Sequence, residues 1–230
     1  MSAGIPSRSG IAAVVPARNE VRRVAATVAA LKRIPAIDEV IVVDDGSTDG
    51  TAPEAERAGA RVIRLSRSEG KGRALDAGAR ATNAAVVLLV DADLEESASN
   101  LAVLLGPVVA GEADVAIAAP PRTGGPSGFG IVEGFARWGT GRLTGRRFDR
   151  PLSGQRAVRA EVLSSAGRFA AGFGAETGFT IDAVRAGYRV VEVPCAISHA
   201  RTGRDPAGFA HRAKQGIDVA RALASRWRRR

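Results

Sequence analysis

The chain has 230 residues, 45% hydrophobic and 25% charged, enough for one sizeable core and too apolar for wholesale disorder. Thirty-three Lys and Arg stand against 24 Asp and Glu, a net charge of +9. That excess admits phosphate-bearing partners such as nucleotides, nucleic acid or an anionic membrane surface, and is also what a solvated arginine-rich surface would show.

In chain order, Ile11–Ala17 (IAAVVPA) is a short apolar strand closed by alanine after proline. Val21–Lys32 places Val21, Val24, Val28 and Leu31 at helical spacing. A β-branched strand, Glu39–Asp45, ends in carboxylates, and Thr51–Ala58 is a short helix after DGSTDG. Arg61–Ser66 is a third strand, and Gly70–Thr82 opens on glycine and continues as an alanine-rich helix. AAVVLLVDAD carries a fourth strand, Asn100–Ala110 is helical, and Asp114–Pro120 is a fifth strand. Pro120–Gly130 is rich in Pro and Gly and reads as a loop, with Gly124–Gly130 a candidate lid. A helix over Ile131–Leu143, a turn and strand over Asp149–Val158, a helix over Glu176–Ala186, a strand over Tyr188–Cys195 and a last helix over Gly208–Trp227 complete the chain, which ends on RWRRR.

Continuous apolar strands alternating with helices predict an α/β fold with a mostly parallel central sheet flanked by helices. One domain is expected over 1–230. Residues 11–119 form its ligand-binding half, and residues 120–230 a second functional half that includes the last helix. The lone Cys195 forms no internal disulfide and points to the cytoplasm. The opening MSAGIPSRSG has no apolar core of a signal peptide, and no run reaches the ~20 apolar residues of a membrane span. The expectation is a cytoplasmic protein, at most peripheral at the inner face of a membrane.

Ligands in parallel sheets bind beyond the carboxyl ends of the strands. The polar motifs PARNE, DDGSTDG and DADLEE fall at those ends. In extended chain, Asp91 and Asp93 would lie ~6.6 Å apart on one side, with Ala92 facing away. Mg²⁺ or Mn²⁺ commonly rests on one or two such carboxylates and completes its shell with substrate phosphates; a solvated helix cap is the plainer reading of the same residues. Asp44 and Asp45 repeat the design. Gly46 permits a tight turn, Ser47, Thr48 or Asp49 can cap the following helix, and a carboxylate here can read a base N–H or ribose hydroxyls. Lys71, between Gly70 and Gly72 at a helix start, suits an anion, although the spacing is not that of a Walker loop.

Together VVPARNE, VIVVDDGSTDG, GKGRALDAG and VVLLVDADLEE resemble the nucleotide-sugar half of family 2 glycosyltransferases with the GT-A fold. GRLTGRRFDRPLSGQRAVRAEVL, GFGAETGFTIDAVRAG and ISHARTGRD are similar to the glucosyl-3-phosphoglycerate synthase branch and to polyprenyl-phosphate sugar transferases. The resemblance implies a metal-dependent transfer from a nucleotide-sugar such as UDP-glucose to a hydroxyl or phosphate of a small-molecule or lipid-phosphate acceptor. It implies that Pro16, Ala17, Asn19, Glu20 and Ser47 border the nucleotide. Asp45 would read the base or ribose, Lys71 and Arg201 reach phosphate, and Asp91 lies near the ribose. Asp93 would hold Mg²⁺ or Mn²⁺, with His199 as a further ligand, and Glu176 would stand near the reacting sugar as the catalytic carboxylate. Gly154, Gln155, Arg142 and Thr144 would line the acceptor side. Arg201 stands where the phosphoglycerate enzymes are expected to carry asparagine. A homodimer and contact of the basic last helix with a membrane are left open.

Two other classes compete. A sugar-phosphate nucleotidyltransferase would also use Asp-bound Mg²⁺, but needs a glycine- and arginine-rich loop after the first strand, which PARNE is not. A non-enzymatic nucleic-acid-binding protein would explain +9, but 4% aromatics supply little base stacking. Nucleic acid is therefore not expected as a partner.

Overall fold

The structure, a computed structural model, describes residues 8–121, 129–165, 174–198 and 206–228. Among them seven strands form one sheet in the order β3-β2-β1-β4-β6-β5-β7. The strands are β1 Ile11–Ala17, β2 Glu39–Asp44, β3 Arg61–Arg64, β4 Val86–Leu89, β5 Val115–Ala119, β6 Arg156–Arg159 and β7 Val190–Pro194. All neighbours run parallel except β6, which is antiparallel to both β4 and β5. The sheet is α/β and mostly parallel, as expected. β6, from the second half of the chain, is inserted between two strands of the first.

The helices are α1 Val24–Lys32, α2 Thr51–Arg57, α3 Lys71–Arg80, α4 Leu105–Val109, α5 Phe129–Thr144, α6 Ala160–Ser165, α7 Ala175–Arg185 and α8 Pro206–Trp227. They cover both faces. On one face Val24, Val28 and Leu31 of α1 join Ala13, Val15, Val42, Leu88 and Leu101. On the other, Ala74 and Leu75 of α3 join Val14, Ile41, Val87 and Phe179. Gly78 of α3 lies so close to the sheet that a Cβ would stand 2.3 Å from Val14. A third cluster of Ala136, Leu143, Ile181, Val219 and Leu223 joins α5, α7 and α8.

Three expectations need correction. Val21 does not start a helix: residues 21–23 form a turn, and α1 begins at Val24. Residues Glu95–Leu104 wind as a 3-10 helix before α4 takes over, where one helix over 100–110 was expected. The fourth strand ends at Leu89, so Asp91 to Asp93 is a turn and not extended chain. The same-side geometry assumed for the two carboxylates therefore does not hold. Ala92 is buried, and its carbonyl accepts from Thr27 Oγ1 at 2.9 Å. Helix α6 had no expectation.

Candidate functional site

The carboxyl edge of β1 and β2 is laced by local bonds. Asp45 N donates to Ala17 O at 2.9 Å, and Ser47 N to Asp44 Oδ1 at 3.0 Å. Asn19 sits at φ 55, a left-handed conformation that asparagine tolerates. Its N–H donates to Ser47 Oγ at 3.0 Å, and its Oδ1 accepts from Thr48 N at 2.9 Å. Glu20 N donates to Thr51 Oγ1 at 2.8 Å, and Asp49 accepts from Thr51 N at 2.9 Å, so Asp49 is the carboxylate that serves the α2 start. Pro16, Ala17, Asn19, Glu20, Asp45 and Ser47 thus share one edge.

Asp45 is buried and accepts from Ser68 Oγ at 2.8 Å, Glu69 N at 2.6 Å and Gly70 N at 3.0 Å. Gly46, at φ 67, lets the 67–68 backbone approach: a Cβ there would stand 2.7 Å from Ser68 N. Gly70, at φ 90, turns the chain into α3, whose first residue is Lys71. Asp45 therefore fastens the loop that presents Lys71.

Lys71 Nζ lies 2.6 Å from Asp91 Oδ1 and 2.7 Å from Glu176 Oε1. Burial pulls the ammonium down, but Asp91 and Glu176 outweigh it and hold Lys71 above its ordinary range, so it stays charged. Gln155 Nε2 donates to Asp91 Oδ2 at 2.7 Å. Gly154 leaves room for all of this, since a Cβ would stand 2.7 Å from Lys71 Nζ and 2.9 Å from Asp91 Oδ2. Five of the predicted residues, from α3, the β4 end, the β6 start and α7, converge here.

Asp93, two residues past Asp91, acts on Glu20. Burial pushes the Glu20 carboxyl up; Arg23 pulls it down, while Asp93 and Asp49 push it up again, leaving it above its ordinary value. Glu20 and Asp93 therefore feel each other's charge, which a divalent cation would relieve. Among the described residues no three His, Cys, Asp or Glu side chains form a ready metal cage.

Sequence reasoning missed two buried residues that shape the site. Arg156 is 1% exposed; its guanidinium donates to Ser153 O at 3.0 Å and Thr180 Oγ1 at 2.8 Å, tying the Gly154–Gln155 turn to α7. Burial pushes Arg156 down to about 10 and Glu176, Glu192 and Asp91 oppose that, so it remains a cation at neutral pH. Thr27, fully buried on α1, accepts from Glu95 N at 2.8 Å besides donating to Ala92 O, and so clamps the Asp91–Asp93 turn. Its signal was a hydroxyl in an otherwise apolar helical stripe; Arg156 gave none, because an arginine opening a strand reads as exposed.

Arg142 and Thr144 are not brought to this cluster. Thr144 Oγ1 closes its own helix on Thr140 O at 2.7 Å, and Leu143 O accepts from Arg185 Nε. Arg185 ends α7 while Glu176 begins it, about 13 Å apart along the axis at 1.5 Å per residue. Arg146, just beyond, donates to Val190 O at the opposite edge of the sheet. Both residues lie on the last turn of α5, apart from the Lys71 contacts. His199 and Arg201 lie outside the described residues. A depression lined by Asp38, Glu39 and Thr82 also lies at the opposite edge. Its polar groups are spent locally, Asp38 on Ile11 N and Glu39 on Thr82 Oγ1.

The model of the family "Glycosyl transferase family 2" matches residues 12–160. Glucosyl-3-phosphoglycerate synthase of Mycobacterium tuberculosis (strain CDC 1551 / Oshkosh) is 31% identical over 197 residues, 75% of this chain and 60% of that protein. Glycosyltransferase AglJ of Haloferax volcanii is 30% identical over 199 residues, 83% of this chain and 63% of that protein. The chain thus spans about three fifths of the length of the curated relatives it matches. A crystal structure of the M. tuberculosis synthase with Mn²⁺, UDP-glucose and phosphoglyceric acid superposes with a TM-score of 0.80 at 27% identity, covering 95% of this chain and 79% of that one.

Proposed function

Because the chain belongs to glycosyl transferase family 2, we propose that it transfers glucose from UDP-glucose to an oxygen of a phosphate-bearing acceptor, of the phosphoglycerate or polyprenyl phosphate type. The observation that carries this reading is the Asp91–Lys71–Glu176 cluster beside Gly154. It sets a permanent cation at the carboxyl edge of the sheet, next to the β1–β2 edge that resembles a nucleotide floor. The synthase with the same fold binds UDP-glucose and phosphoglyceric acid.

In this reading Pro16, Ala17, Asn19, Glu20 and Ser47 border the nucleoside. Asp45 accepts three donors on a group with about four acceptor positions, which leaves room for one base N–H. Asp93 and His199 would hold Mg²⁺ or Mn²⁺, and that ion would act as a Lewis acid on the diphosphate. Arg201 adds positive charge near the phosphates. Lys71 stabilises the negative charge that develops as the sugar–phosphate bond breaks and its electron pair leaves on the nucleoside diphosphate. Glu176 takes the proton of an acceptor hydroxyl as the new carbon–oxygen bond forms; Gly154 and Gln155 shape the acceptor side. Residues 1–230 work as one domain, with residues 11–119 on the donor and 120–230 on the acceptor.

The test is transfer from labelled UDP-glucose with Mn²⁺ to 3-phosphoglycerate and to a polyprenyl phosphate, together with calorimetric binding of UDP. The expected result is product with one acceptor, and UDP binding that is Mn²⁺-dependent in the wild type and at least about tenfold weaker in Asp93→Ala. Equal Mn²⁺-dependent UDP binding by Asp93→Ala, or no turnover of any nucleotide-sugar, overturns the reading.

A further inference from the structure

Three large exposed aromatic side chains on α5 and α8 gather into a ladder, while Ile217 of α8 is exposed apart from it. Phe135, Trp138 and Trp227 are 39%, 59% and 42% exposed. Their rings stack in series, with centroids 5.9 Å apart for Phe135 and Trp138 and 6.3 Å for Trp138 and Trp227. The guanidinium of Arg142 lies 5.6 Å over the Trp227 ring. Arg142 thus adds a guanidinium to this surface.

The ladder stands on a rigid base. Leu223 of α8 packs so close to α5 that a Cβ on Gly139 would stand 2.3 Å from it. Arg226, next to Trp227, turns inward and donates from Nε to Asp182 Oδ1 at 2.8 Å, while Arg185 donates to Arg226 O at 2.8 Å. The rim is basic. The Arg221 side chain is 78% exposed and pairs with Asp218 at 3.7 Å, and Arg228 is exposed just past the end of α8. After Gly216 the sequence carries Arg221, Arg226, Arg228, Arg229 and Arg230 against the single acid Asp218, with Arg226 engaged by Asp182.

We propose that this α5–α8 face docks on an anionic lipid bilayer, with Trp138 and Trp227 at headgroup level and the arginines on lipid phosphates. Amphipathic indole rings settle at the boundary between headgroups and acyl chains, and basic side chains beside them add attraction to a negatively charged leaflet. A second copy of the chain fits less well, because a two-fold interface places each patch on its own copy and would set arginines against arginines. The inference stands independently of the donor and acceptor proposed above, since its readout needs no catalysis.

Both tryptophans of the chain lie in the ladder, so intrinsic fluorescence reports this face alone. With mixed phosphatidylglycerol–phosphatidylcholine vesicles, tryptophan emission should shift to the blue, brominated acyl chains should quench it, and raised salt should reverse it. Phosphatidylcholine vesicles alone should do little. The double variant Arg221→Glu/Arg228→Glu should keep its thermal unfolding midpoint and lose about thirtyfold in vesicle affinity; Trp138→Ala should weaken co-sedimentation while UDP binding is unchanged. No blue shift with anionic vesicles, or an equal shift with neutral ones, overturns the proposal. So does a vesicle-free dimer that Trp138→Ala dissociates, which would assign the face to a second copy.

Discussion

β2 and β4 both run from a buried apolar strand into paired carboxylates, Asp44–Asp45 and Asp91–Asp93, and these carboxylates meet different kinds of partner. The oxygens of Asp45 are taken by Ser68 Oγ and by backbone N–H groups of Glu69 and Gly70. Those of Asp91 are taken by the tips of two side chains, Lys71 Nζ and Gln155 Nε2. Backbone donors fixed in a loop cannot follow a ligand, whereas the ends of Lys and Gln can turn towards one. The first strand end is a tie that holds structure, and the second is a set of exchangeable contacts. The two act in series, because the loop Asp45 holds is the one that starts α3 at Lys71.

Lys71→Ala should bring the largest change. It leaves Asp91 and Glu176 facing each other without their shared cation, and removes the charge that the proposed function assigns to the leaving diphosphate. Turnover should fall about 10²- to 10³-fold, measured as transfer from UDP-glucose; unchanged kcat would break the view that the exchangeable end carries the chemistry. Asp45→Ala should show the opposite balance. Two backbone N–H groups and one hydroxyl lose a buried acceptor, which should cost roughly 2–3 kcal/mol in urea unfolding. If Asp45→Ala unfolds like the wild type, the tie is not structural. Gly154→Ala should have the smallest effect. The nearest atoms to its methyl are the ends of Lys71 and Asp91, so stability should change by about 0.5 kcal/mol, while displacing those ends should lower kcat/KM about tenfold. A stability loss as large as that of Asp45→Ala would show that the Lys71–Asp91 contact is as rigid as the Asp45 one.

Much of this arrangement was legible before any coordinates. Apolar runs such as IAAVVPA and VIVV became parallel strands, and the polar motifs ended at one sheet edge. The misplacements share a cause. The Asp91–Asp93 turn looked extended because the run VVLLV continues straight into DAD, yet Thr27, on a helix distant in sequence, bends it. GRLT reads as motif alone, and the structure sets it on the last turn of α5, which continues through Thr144. Arg156 drew no expectation at all, and its burial is made tolerable by Pro151, Ser153, Thr180 and Phe179 around it.

The sequence by itself determined the strand and helix types, the carboxylate-ended strands and the family, since each depends on contiguous residues or on a motif order that survives without coordinates. Tertiary structure alone decided that β6 enters antiparallel between β4 and β5, and that Lys71 chooses Asp91 and Glu176. It alone joined Trp138 to Trp227 across two helices. Those outcomes depend on packing between segments remote in the chain, where which groups meet is set by the shape of the whole core and not by any local pattern.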